Sequence, residues 1–97
     1  MAEARIDLAR AKARERREML ERLKGVLIDQ LMLSFDPDEI ADDTGLFGAG
    51  LGLDSVDALE VIFCVENEFG IRTDNDDMLA FRTLNTVIDL VEERSEA

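Results

Sequence analysis

Gly50-Leu51-Gly52-Leu53-Asp54-Ser55-Val56-Asp57-Ala58-Leu59-Glu60-Val61-Ile62-Phe63-Cys64-Val65-Glu66-Asn67-Glu68-Phe69-Gly70 contains a complete helix with both of its boundaries. Glycines at 50 and 52 oppose regular structure, and an acid and a hydroxyl then mark a helix start at Asp54 or Ser55. Apolar residues three and four apart carry the helix over 56–69, and Gly70 is a stop signal.

Upstream, residues 34–54 hold Pro37 and four of the six glycines and read as a long loop. Ile40, Leu46, Phe47 and Leu51 are placed to pin it to a core, and so long a loop in a small domain usually has a functional reason. Before it, Leu20, Leu23, Leu27 and Leu31 repeat on one helical face, predicting an amphipathic helix over about 19–33. Gly25 weakens that helix by about 1 kcal/mol relative to Ala. Residues 1–17 are rich in Ala, Arg and Glu, with ladder pairs such as Asp7 to Arg10 and, further on, Glu18 to Arg22. They form a basic, helical or partly disordered extension without a core of its own, distinct from a domain over 18–97.

Downstream, 72–77 reads as a polar turn and 76–81 as one short helical piece. Thr83 caps a last helix in which Leu84, Val87, Ile88 and Val91 share a face. Strand patterns and internal repeats are absent. The expected fold is all-α: a small four-helix bundle of three longer helices plus one short helix, with the long loop between the first and second.

Ninety-seven residues make one small domain with little room for both a scaffold and a deep catalytic cavity. There is no His, so the commonest general base is missing, and the expectation is a protein that is not an enzyme. The single Cys64 forms no internal disulfide and has no cationic neighbour in sequence, so it reads as a packing residue. Met19, Met32 and Met78 read as flexible core or pocket lining. No apolar run approaches a membrane span and no signal-peptide pattern opens the chain, which points to the cytoplasm.

The formal charge of −12 is unevenly spread. Residues 1–24 hold eight Lys and Arg against five acids, a net of +3, while residues 25–97 hold three against eighteen, a net of −15. Such a surface repels nucleic acid and attracts proteins with basic patches. A monomer is expected.

Ser55 stands where a flexible loop meets a helix start. The first turn has unpaired N–H groups and a partial positive charge, which favour a phosphodiester there. Asp54 and Asp57 flank the hydroxyl and suit ordering of the helix start, or a metal ion brought by a modifying enzyme. Taken alone, Ser-x-x-acid marks only a helix cap.

The wider context reverses that preference. Leu51-Gly52-Leu53-Asp54-Ser55-Val56-Asp57-Ala58-Leu59-Glu60, then Glu66-Asn67-Glu68-Phe69, resembles the acyl carrier protein family. Asp29-Gln30-Leu31 and the spacing over 84–91 resemble the ends of its first helix and its last helix, so the likeness covers roughly 18–93. It implies that Ser55 carries 4′-phosphopantetheine, transferred from coenzyme A by a phosphopantetheinyl transferase, with Asp54 as the flanking motif residue. It also implies acyl groups carried as thioesters to enzymes of fatty-acid, lipid or polyketide-type synthesis, and no bound metal. Gly50, Leu53, Asn67 and the turn at 72–76 depart from the family pattern and suggest a specialised carrier with dedicated enzymes.

The helix over 56–69 carries two apolar stripes. Ala58, Val61, Ile62, Val65 and Phe69 are suited to the bundle, and Val56, Leu59 and Phe63 lie on another side beside Asp57 and Glu60. The second stripe is either more core or, as the resemblance implies, a docking surface for a basic, apolar groove. Three rivals stand beside this reading: a peptidyl or aminoacyl carrier with the same arm, a non-loaded acidic helical adaptor, and a calcium sensor. The sensor fits poorly, because neither acidic cluster, at 36–43 or 74–77, has the ligand spacing of a calcium loop.

Overall fold

A computed structural model describes residues 2–96, and the side chains of 7–95. In chain order it has helix α1 (Ala2–Gln30), a 3₁₀ turn (Pro37–Glu39), helix α2 (Ser55–Phe69), a second 3₁₀ segment (Asn75–Ala80) and helix α3 (Leu84–Glu96). This is the expected small helical bundle, with a long loop between its first two α-helices. The turn at Pro37–Glu39 is an addition, closed where the Glu39 carboxylate accepts the Asp36 N–H at 3.1 Å.

α1 begins well before the amphipathic stretch and is continuous through Gly25. It stops at Gln30, three residues short of expectation, because Met32 takes a left-handed conformation (φ 53°) and the Leu33 N–H donates back to the Ile28 carbonyl at 3.0 Å. That is the geometry of a Schellman stop, which usually uses Gly. The exposed Met32 gave no composition signal for it.

The core joins all three helices and the loop. Leu20, Leu23 and Leu27 of α1 meet Val61, Cys64 and Val65 of α2 and Leu84, Val87, Ile88 and Val91 of α3, with Ile71 and Phe81 filling the connection. Ile40, Leu46 and Leu51 do pin the loop, helped by Leu53, while Phe47 is half-buried. Leu23, Leu27, Val61 and Val65 share this core, and Arg22 lies beside Glu68 at the end of α2, so α1 and α2 run antiparallel.

The loop is stitched by backbone bonds instead of a sheet. Leu46 N–H donates to the Arg82 carbonyl and Asn85 N–H to that of Asp42, both at 2.9 Å. Leu51 N–H donates to Gly45 at 2.9 Å. A Cβ at Gly50 would stand 1.9 Å from the Gly45 carbonyl oxygen, so this crossing admits only glycine.

Several local expectations change. Arg22 pairs with Glu68 at 3.1 Å and stacks over Phe69, 4.9 Å from the ring centre, instead of bridging to Glu18. The Asp7 to Arg10 pair is not made. Met19 packs against the core, but Met32 and Met78 are exposed, leaving only one of the three methionines as core. Thr83 does cap α3: its Oγ1 accepts the Thr86 N–H at 3.1 Å, and Thr86 Oγ1 accepts the Thr83 N–H at 2.9 Å.

Candidate functional site

Asp54 is the residue before α2, in extended conformation, and Ser55 is the first helical residue. The Asp54 carboxylate accepts the N–H groups of Val56 at 3.0 Å and Asp57 at 3.1 Å. Asp57 returns the bond, its Oδ2 accepting the Asp54 N–H at 3.0 Å. This reciprocal cap occupies both acids that flank Ser55, so their local role is to order the helix start.

Ser55 is thereby released from capping. Its side chain is exposed, and among the described residues its hydroxyl takes part in no hydrogen bond. The cap reading of Ser55 is therefore replaced by one in which Asp54 caps. Gly52, at φ 77°, and the buried Leu51 and Leu53 on either side anchor the approach, leaving Ser55 facing outward. The hydroxyl stands at the positive end of a 15-residue helix with no side chain bonded to it, an arrangement that accepts a phosphodiester.

The second stripe of α2 is exposed. Val56 is 80%, Leu59 77% and Phe63 64% accessible, far more than core residues allow. Glu60 is exposed and Asp57 half-buried beside them. Val61 and Val65 are fully buried on the opposite stripe, while Ala58, Ile62 and Phe69 are half-buried. Cys64 is buried too, and burial followed by the nearby Glu60 charge pushes its thiol pKa up, away from the reactive thiolate.

The structure adds exposed apolar side chains that sequence reading missed, Leu8, Phe35 and, most accessible of the three at 80%, Leu79 in the second 3₁₀ segment. The short segment has too few turns for periodicity to say which residues face inward. Asp77 in the same segment is buried, and Arg94 of α3 donates both to its carboxylate and, at 2.9 Å, to the Arg72 carbonyl. The acidic run at 74–77 thus serves partly as a structural tie between this segment and α3.

No helix of the described residues is long and apolar enough to cross a membrane. Residues 21–91 match the family model described as a phosphopantetheine attachment site. The chain is 31% identical over 80 residues to an acyl carrier protein of Thermosynechococcus vestitus, covering 82% of this chain and 95% of that relative. It is 35% identical over 71 residues to one of Nitratidesulfovibrio vulgaris, covering 73% and 90%. Against one of Clostridium perfringens it is 32% identical over 78 residues, covering 80% and 99%.

Proposed function

This chain belongs to the acyl carrier protein family, whose phosphopantetheine attachment domain it contains, and we propose that Ser55 is the residue that carries the arm. The observation that carries this reading is the division of labour at the start of α2. Asp54 and Asp57 cap the helix reciprocally, and the exposed Ser55 hydroxyl has no structural bond to give up.

In the loading step Ser55 Oγ would attack the coenzyme A phosphorus that bears the pantetheine arm; as the new P–O bond forms, the pyrophosphate P–O bond breaks, 3′-phosphoadenosine 5′-phosphate leaves, and the serine proton passes to a base of the transferase or to water. When bound, the arm supplies a terminal thiol on which an acyl group rides as a thioester. The protein contributes position and address. The positive end of α2 would favour the phosphodiester electrostatically, and the outward stripe of Val56, Leu59 and Phe63, with Asp57 and Glu60, docks enzymes that present a basic, apolar groove. The chain itself catalyses nothing; it delivers acyl intermediates in fatty-acid, lipid or polyketide-type synthesis, and its departures from the family pattern favour a dedicated pathway.

The test is to incubate the protein with coenzyme A and a promiscuous phosphopantetheinyl transferase, followed by intact mass and peptide mapping. A phosphopantetheinyl increment on Ser55 is expected, absent in Ser55→Ala, with helix content unchanged. An unmodified chain, under conditions that load a control carrier, would point to a non-loaded adaptor.

A further inference from the structure

The first half of α1 has a different character from the rest of the molecule. Side chains 7–15 are all exposed, and the first core residue is Leu20. With 29 residues, α1 is about 43 Å long, close to the 49 Å long axis of the whole molecule. Its first half therefore projects as a rod.

Arg16 fixes the root of that rod. Its guanidinium lies 2.9 Å from Asp89 and 2.8 Å from Glu92 of α3 and donates to Asn85 Oδ1 at 3.0 Å. Because α1 and α2 run antiparallel, the rod leaves the bundle at the pole remote from Ser55. Measured along the helices from the level of Arg22, Ser55 lies about 20 Å one way and Arg10 about 18 Å the other.

Residues 9–17, Ala-Arg-Ala-Lys-Ala-Arg-Glu-Arg-Arg, hold five cations and one acid. Arg10, Arg14 and Arg17 recur at i, i+4 and i+7 and so share one face. All three are exposed, and none is in an ion pair among the described residues. Lys12 lies on another side, lining a groove with Met19, Arg22 and Glu92. The matched family region starts at residue 21, so this stripe lies outside it.

We propose that the Arg10, Arg14 and Arg17 face is a second protein-docking surface whose occupant is an acidic segment of a partner protein. Three guanidinium forks at helical spacing match a run of carboxylates, each able to take a bidentate pair. The remaining chain selects among anionic partners. A nucleic acid or an anionic bilayer presents an extended field that meets the −15 of residues 25–97 as well, whereas a discrete acidic segment meets only the rod. At physiological salt the Debye length is about 8 Å, so the outer rod is largely screened from the acidic body. Leu8 is the one large apolar side chain exposed on residues 7–17, and beside Ala9, Ala11 and Ala13 it makes no continuous bulky apolar face for insertion into lipid, while two bodies of net −12 repel one another, which disfavours a second copy. The separation from Ser55 leaves this surface free while the other pole engages an enzyme; the proposal does not depend on the loading of Ser55.

The test titrates the full chain into a fluorescently labelled, Glu-rich helical peptide at low and physiological salt, reading anisotropy, with sedimentation velocity of the chain alone in parallel. Saturable, salt-sensitive binding is expected. It should fall roughly tenfold in the Arg10→Gln, Arg14→Gln, Arg17→Gln variant and stay within about twofold in Lys12→Gln. Transferase loading should be equal for the triple variant and the parent. Equal peptide binding by the triple variant and the parent, or an equal loss from Lys12→Gln, overturns the stripe. Tighter binding to phosphatidylserine vesicles than to the peptide, or a salt-sensitive dimer abolished in the triple variant, assigns the face to lipid or to a second copy instead.

Discussion

Lys24, on the buried side of α1, holds Asp42 of the long loop at 3.1 Å, with Glu21 at 3.4 Å from the same ammonium. Lys24 is only 5% accessible. Burial alone would lower its pKa, but the hydrogen bond and charge of Asp42, joined by Glu21, outweigh it and the pKa is raised. The tie fastens the loop that leads to Ser55 onto the helix beneath it.

Removing either partner has different costs. Lys24→Met keeps the apolar stem and deletes the charge, and should cost about 1 kcal/mol; Asp42→Ala strands a buried ammonium with Glu21 alone and should cost about 2 kcal/mol. Urea midpoints of the two variants check this, and a larger loss in Lys24→Met would show that an unpaired Lys24 is not the dominant cost.

Asp77 gives the fold a sensitivity to acid. Its pKa is lowered, first by the Asp74 N–H that donates to it at 2.8 Å and then by Arg94, against the opposing effect of burial. A carboxylate whose folded pKa is depressed contributes stability above its unfolded value of about 3.9 and loses it as pH falls through the folded pKa. Asp77→Asn should therefore be less stable than the parent at neutral pH and converge with it in strong acid. Parallel pH profiles of the two proteins would remove Asp77 from this role.

Phe63 and Leu23 should respond in opposite ways to substitution. Phe63→Glu, at an exposed position, should shift stability by no more than about 0.5 kcal/mol while weakening enzyme docking. Leu23→Ala, in the fully buried core, should cost about 2–5 kcal/mol. Melting temperatures together with acyl-transfer rates to a partner enzyme separate the two effects; a large melting shift in Phe63→Glu would return that ring to the core.

Two glycines make a further contrast. Gly25→Ala meets nothing within 4 Å and should stabilise α1 by about 0.5–1 kcal/mol. Gly50→Ala forces a Cβ onto the Gly45 carbonyl and should open the loop crossing, destabilising the domain by more than about 1 kcal/mol. Chemical denaturation of both variants reads the sign directly.

The residues alone determined the helical class, the long loop, the start of α2 near Ser55 and its end at Gly70, because spacing, caps and breakers act over a few neighbouring residues. They also singled out Ser55 and the second apolar stripe of α2. They left open whether that stripe was core or surface, since both stripes of an isolated helix look alike. Only packing against α1 and α3 buried Val61 and Val65 and turned Phe63 outward. The same holds for Arg22 reaching Glu68 instead of Glu18, and for the burial of Lys24 beside Asp42. Each depends on where distant parts of the chain come to rest, and no local pattern encodes that distance.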